Sequence, residues 1–97
     1  MFARLVTSEF QVDKTDEVIR VFQENIMPAI KPQEGYRGAY LLIDRKTGKG
    51  VVLALWDSEE NIIANNESGL YQEQVSKVAP FLTAVPVQSV YEVAIQD

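Results

Sequence analysis

Apolar and polar positions along the chain switch period several times, and each switch marks an element. Phe2 to Val12 alternates, with Phe2, Val6 and Phe10 on one parity and Ala3 and Leu5 on the other, and predicts a first strand. Asp13 stands where a helix N-cap belongs, and Asp16 and Glu17 would follow in the first turn, near the positive end of the helix dipole. Val18, Val21, Phe22, Ile26 and Ile30 recur at helical spacing, so a helix is expected from Lys14 to about Met27, bent or ended by Pro28. Lys31-Pro32-Gln33-Glu34-Gly35 then turns the chain.

Tyr36 to Asp44 and Gly50 to Trp56 read as two strands joined by the polar turn Arg45-Lys46-Thr47-Gly48-Lys49, a β-hairpin. Asp57-Ser58-Glu59-Glu60 has the form of a capping box opening a helix with Ile62 and Ile63. Gly69 interrupts it, and Leu70 to about Leu82 continues as a second helical piece whose regularity Pro80 limits. Val85 to Ile95 is apolar and β-branched enough for a fourth strand. The order β-α-β-β-α-β is the split-βαβ pattern, a single ferredoxin-like α+β domain over residues 1–97 with both helical layers on one face of a four-stranded antiparallel sheet.

A sheet with one wet face shows a polar parity in each strand. Here Ala39, Leu41 and Ile43 oppose Tyr36, Tyr40 and Leu42. Likewise Val51, Leu53 and Leu55 oppose Val52, Ala54 and Trp56, and Val87, Tyr91, Val93 and Ile95 oppose Val90 and Ala94. Both faces are apolar. At about 25 cal/mol per Å² of apolar surface, the face without helices calls for a cover. A second copy of the same sheet is the simplest one, giving a homodimer.

Composition narrows the chemistry. The 97 residues are 46% hydrophobic and 24% charged, which supports a packed core. With no cysteine and no histidine, the chain can build no disulfide, Cys nucleophile, Ser-His-Asp triad, Cys/His zinc site or histidine-ligated haem. A net charge of −5 argues against a nucleic-acid partner. The longest apolar run, Val51 to Trp56, is too short to span a bilayer, and the N-terminus lacks the pattern of a secretory signal, so a cytoplasmic protein without a membrane partner is expected. Asn66-Glu67-Ser68 is then an accidental glycosylation match, and Lys46-Thr47-Gly48-Lys49-Gly50 lacks the spacing of a phosphate loop.

Several side chains stand out. Trp56, at a strand end, either walls a pocket between sheet and helix or packs the core at that junction. Tyr36, Tyr40 and Tyr91 offer hydroxyls to a bound ligand, or fill an interface between subunits. Arg4 and Arg37 lie within strands, where a guanidinium can neutralise an enolate or carboxylate, or pair with Glu9 or Glu92. Asn65 and Asn66 can aim an amide at a substrate carbonyl, or simply help end the helix before Gly69.

Two stretches, Gly35-Tyr36-Arg37-Gly38-Ala39-Tyr40-Leu41-Leu42 and Ala54-Leu55-Trp56-Asp57-Ser58-Glu59-Glu60, resemble the glycine-aromatic strand entry and the strand-to-helix Trp motif of the antibiotic-biosynthesis-monooxygenase-like family. The resemblance runs over nearly the whole chain and implies a dimeric α+β barrel. The family includes cofactor-independent monooxygenases, haem-degrading enzymes and members without an assigned role. Its haem-degrading branch uses a histidine on the later helical region, which this chain lacks. Its cofactor-free oxygenases hold an aromatic polyphenol with Asn, Trp, Tyr and Arg side chains and stabilise its anion for reaction with dioxygen. That resemblance implies catalytic roles for Trp56, Asn65, Asn66 and Arg4, a substrate contact from Tyr71, and neither metal nor other cofactor; Tyr36, Tyr40, Tyr91 and Arg37 offer further substrate contacts by their own chemistry. The expected function is therefore oxygenation of a small apolar or aromatic, quinol-like ligand. The alternative is a non-catalytic dimeric module that binds a small ligand or serves as a scaffold.

Overall fold

The computed structural model describes residues 1–97. Strands β1 (Phe2–Glu9), β2 (Tyr36–Ile43), β3 (Lys49–Trp56) and β4 (Val87–Glu92) form one sheet in the order β2-β3-β1-β4. Every neighbouring pair is antiparallel. The connection from β1 to β2 begins with a 3₁₀ turn, Val12–Lys14, and continues as α1 (Thr15–Val21), a π-helical stretch Phe22–Ile26 and α2 (Met27–Ile30). The connection from β3 to β4 carries α3 (Glu59–Glu67), α4 (Leu70–Val78) and the 3₁₀ turn Ala79–Phe81. This is the ferredoxin-like α+β fold.

Helical residues Val18, Phe22, Ile26, Ile30, Ile62 and Val78 form one buried core with Phe10, Ala54 and Trp56 from the sheet side. Even-numbered positions of β1 and β3 therefore face the helices: Phe2 pairs with Trp56, Arg4 with Ala54 and Val6 with Val52. On β2 the parity changes partway. Tyr36 pairs with Trp56 but Gly38 pairs with Leu55, so a bulge at Arg37 inserts one extra residue. Tyr36 thereby joins Ala39, Leu41 and Ile43 against the core, while Tyr40 and Leu42 stay on the other face. Strict alternation had grouped Tyr36 with Tyr40, and the bulge is the physical reason for the difference.

Local details differ elsewhere. Asp13 caps nothing; it lies inside the 3₁₀ turn, and the Thr15 hydroxyl instead donates to the Val12 carbonyl at 2.8 Å. Pro28 does not end the first helical connection. The adjoining π stretch absorbs the turn that a proline, lacking an N–H, would otherwise break, and the helix runs on to Ile30. Ser58 caps α3, accepting from the Asn61 N–H at 3.3 Å, so the partner three residues on is Asn61 and not Glu60. Strand β4 stops at Glu92 because its neighbour β1 starts at Phe2; the Val93 N–H donating to the Met1 carbonyl at 2.9 Å is the last rung.

The second sheet face carries Leu5, Val51, Leu53, Leu55, Tyr40, Leu42, Val87 and Tyr91. Tyr40 is 62% exposed, Leu42 52% and Tyr91 58%. No helix crosses this face, and no helix of the protein is long and apolar enough to cross a membrane.

Candidate functional site

Arg4 organises the helix-facing side of the sheet. As an even-numbered residue of β1 it points beneath the helices, and it is only 3% exposed. Its Nη1 donates to Asn65 Oδ1 at 2.7 Å and to Asn66 Oδ1 at 3.0 Å, two adjacent residues near the C-terminal end of α3. Its guanidinium carbon lies 5.4 Å from the Trp56 ring centre and 5.2 Å from that of Tyr71 on α4, within the range of cation–π attraction. Tyr36 packs edge-on against Trp56, with centroids 5.7 Å apart. Asn66 is held in turn by β4, its Nδ2 donating to Gln88 Oε1 at 2.8 Å and Gln88 Nε2 donating back to Asn66 Oδ1 at 3.3 Å.

No carboxylate pairs with Arg4, neither Glu9 nor Glu92. Burial pulls the Arg4 pKa below the ordinary guanidinium range, while the neighbouring Tyr71 phenol pushes it the other way. A guanidinium stays charged inside a protein. The result is a cation inside the protein, stabilised by amide oxygens and ring faces alone.

Four buried nitrogens in this region lack a hydrogen-bond partner within the chain: Arg4 Nε, Trp56 Nε1, Asn65 Nδ2 and Gln74 Nε2. All four are donors. Leaving such a group unpaired costs about 1–3 kcal/mol, so a set of one polarity is expensive in the protein alone and suits a ligand rich in acceptor oxygens. Arg4, Tyr71 and Gln74, with Ser8, supply the polar lining of a cavity between sheet and helices. The rest of its wall is apolar, from residues such as Val6, Phe10, Phe22, Val75 and Val78, and its volume is about 40 Å³.

Of the residues singled out by sequence, Arg4, Trp56, Asn65, Asn66 and Tyr71 converge here, and Tyr36 backs Trp56. Three others lie elsewhere. Tyr40 and Tyr91 are on the opposite sheet face, and Arg37, lifted out by the bulge, forms an exposed ion pair with Asp57. Gln74 and Gln88 were not foreseen. A glutamine one turn beyond Tyr71 reads as surface in a helix rich in Gln and Glu. The usable signal was that Gln74 shares a helix face with Tyr71 and Val78.

A second, open groove of about 390 Å³ lies at the sheet margin, lined by Thr7, Glu9, Lys49, Val51, Val85 and Val87 among others. It contains none of the converging side chains.

The fold and the helix-facing cluster define a ferredoxin-like α+β protein with a small site between sheet and helices. The chain belongs to the antibiotic biosynthesis monooxygenase family, whose model matches residues 1–77. Residues 78–97, beyond that match, contribute Val78, the last 3₁₀ turn and β4. Among curated proteins it is 30% identical over 67 residues to the uncharacterized protein Rv2557 of Mycobacterium tuberculosis (strain H37Rv), an alignment covering 69% of this chain. The match spans only 30% of that relative's length. Among solved structures, the heme-degrader MhuD from Mycobacterium tuberculosis, determined with two hemes in its active site, superposes with a TM-score of 0.82 at 17% identity, covering 100% of this chain and 99% of that one. Rv0793 from the same organism gives 0.75 at 17% identity, covering 98% and 96%. At such identities these two likenesses establish the fold.

Haem does not fit the site described here. The chain has no imidazole or thiolate to ligate iron, and a cavity of about 40 Å³ is far smaller than a porphyrin. No group of three or more carboxylates is placed to hold a metal ion either.

Proposed function

We propose that the chain is a small-molecule oxygenase of the antibiotic-biosynthesis-monooxygenase type, acting without metal or haem on an aromatic or quinol-like substrate. The observation that carries this reading is the buried Arg4 guanidinium, which has no carboxylate partner and whose own Nε is one of four unpartnered buried donors. An acidic phenol or enol bound there loses its proton readily, because the cation stabilises the anion in a low-dielectric setting. Such an anion is electron-rich enough to reduce dioxygen itself. For an anthrone-like CH₂ carbon, one oxygen atom of O₂ remains as a carbonyl and the other leaves as water with the two hydrogens, so the substrate is the only reductant. Tyr71 would wall the ring, Trp56 would back the guanidinium, and Asn65 and Asn66 would fix it.

The partner in this reading is a second copy, covering the face of Leu5, Leu53, Leu55, Tyr40, Leu42 and Tyr91; the 97 residues act as one domain in the cytoplasm. Support comes from that face's apolar character and its lack of any intramolecular cover.

One observation favours a second reading. The cavity, at about 40 Å³, takes dioxygen or a few waters, and an aromatic ring enters only if side chains such as Tyr71 or Val75 move. A non-catalytic dimeric binding or scaffold module needs no such movement, but it leaves four costly unpaired donors without a purpose. Oxygen-electrode assays with hydroquinones and anthrones decide between the two. Uptake above buffer supports the oxygenase; no uptake together with no binding supports the module.

A further inference from the structure

Two of the residues that carry an unpartnered donor line the cavity, and their donors differ in kind. Arg4 Nε belongs to a fixed cation on β1, whereas Gln74 Nε2 belongs to a neutral amide on α4. Gln74 is only 7% exposed and shares the cavity wall with Phe22, Val75 and Val78. It stands three residues beyond Tyr71, just under one helical turn, and the Tyr71 ring packs on Arg4, so Gln74 on α4 and Arg4 on β1 line the same small cavity from opposite layers. A buried amide in an apolar wall is unfavourable for folding, and leucine would fill the position more cheaply.

We propose that Gln74 is a specificity-determining residue: its Nε2 donates to the carbonyl oxygen of the ligand while Arg4 holds the oxygen that has lost its proton. The ligand class that follows is an acidic hydroxyl conjugated with a carbonyl, as in a hydroxyquinone, tropolone or enolised dicarbonyl, in preference to a simple phenol. A charged donor matches the oxygen bearing the charge. A neutral donor serves the second oxygen, onto which part of that charge is delocalised, and no charged group other than Arg4 lines the cavity. This inference rests on the anion-binding reading of the site.

The test is calorimetric titration of the full-length wild type, Gln74→Leu and Arg4→Met with two single-ring probes, at a mildly alkaline pH where both are ionised. Tropolone has a hydroxyl flanked by a carbonyl; pentafluorophenol has one oxygen. The wild type is expected to prefer tropolone by about tenfold, one well-placed hydrogen bond. Gln74→Leu should lose that preference while still binding pentafluorophenol, and its melting temperature should rise because the unpaired amide is gone. Arg4→Met should bind neither probe. Equal binding of the two probes by the wild type, or an undiminished preference in Gln74→Leu, overturns the role of Gln74 and leaves the anion site standing. Failure of the wild type to bind either probe overturns both.

Discussion

At the scale of single residues, what matters about Arg4 is its shape as much as its charge. One Nη1 serves two amide oxygens while the planar group lies against two rings. A lysine ammonium keeps the charge but cannot reproduce that fork and stack. Arg4→Lys should therefore lower kcat/KM for oxygen uptake by about a hundredfold while leaving the far-UV circular dichroism unchanged. Retention of wild-type activity in Arg4→Lys would show that only charge is needed. Tyr36 offers a second measurement. Burial raises its phenol pKa above the ordinary 10.0, so the folded chain keeps this proton to higher pH than the unfolded chain does. Its contribution to stability is complete below about pH 10 and fades as pH climbs through the raised folded value. In urea titrations across that alkaline range, Tyr36→Phe should lose stability less steeply than the wild type. Parallel curves for the two proteins would remove Tyr36 from the account.

Residue-level legibility had a physical limit. Arg4, Trp56, Asn65, Asn66 and Tyr71 could be picked out because a charged, amide or aromatic side chain at an unusual place is visible in sequence. Gln74 is legible only through the helix face it shares with Tyr71 and Val78, since whether that face meets solvent or core depends on how α4 is rotated against the sheet. Tyr36 was assigned to the wrong face because a bulge leaves no alternation signal of its own.

At the scale of elements, the hairpin between β2 and β3 and the break between α3 and α4 followed from glycine placement. Gly48 has φ +81° and its N–H donates to the Asp44 carbonyl at 2.9 Å; a Cβ there would lie 2.1 Å from the Phe10 carbonyl oxygen, a backbone atom that cannot step aside. Gly48→Ala should destabilise the protein by about 2–4 kcal/mol in urea unfolding, well beyond the usual glycine-to-alanine effect. A loss under about 1 kcal/mol would mean the turn relaxes without strain. The ends of elements were harder to read than their existence. Val93 and Ile95 continue the apolar parity of β4, yet the strand stops at Glu92, opposite Phe2 where β1 itself starts. Pairing length is a property of the neighbour, and a strand's own pattern does not contain it.

At the scale of the whole molecule, the two-sided sheet was the strongest signal in the chain, and the observed faces have the composition it called for. One is sealed under α1 to α4, and the other presents Tyr40, Leu42, Val87 and Tyr91. If a second copy covers that face, sedimentation should report twice the 10.9 kDa of one chain. Leu42→Lys, which places a charge in the middle of it, should then shift the protein to monomer. A wild type that sediments as one chain at micromolar concentration contradicts the paired sheet.

The central claim concerns the other face: a buried cation and its unpartnered donors bind the anion of a small acidic hydroxyl compound. The most direct measurement is the visible titration of 4-nitrophenol with the protein in excess, since only the phenolate is yellow. Wild-type protein should lower the apparent pKa of the bound phenol by about one unit or more, and Arg4→Met should abolish that shift. A bound phenol whose pKa stays put or rises would contradict the claim.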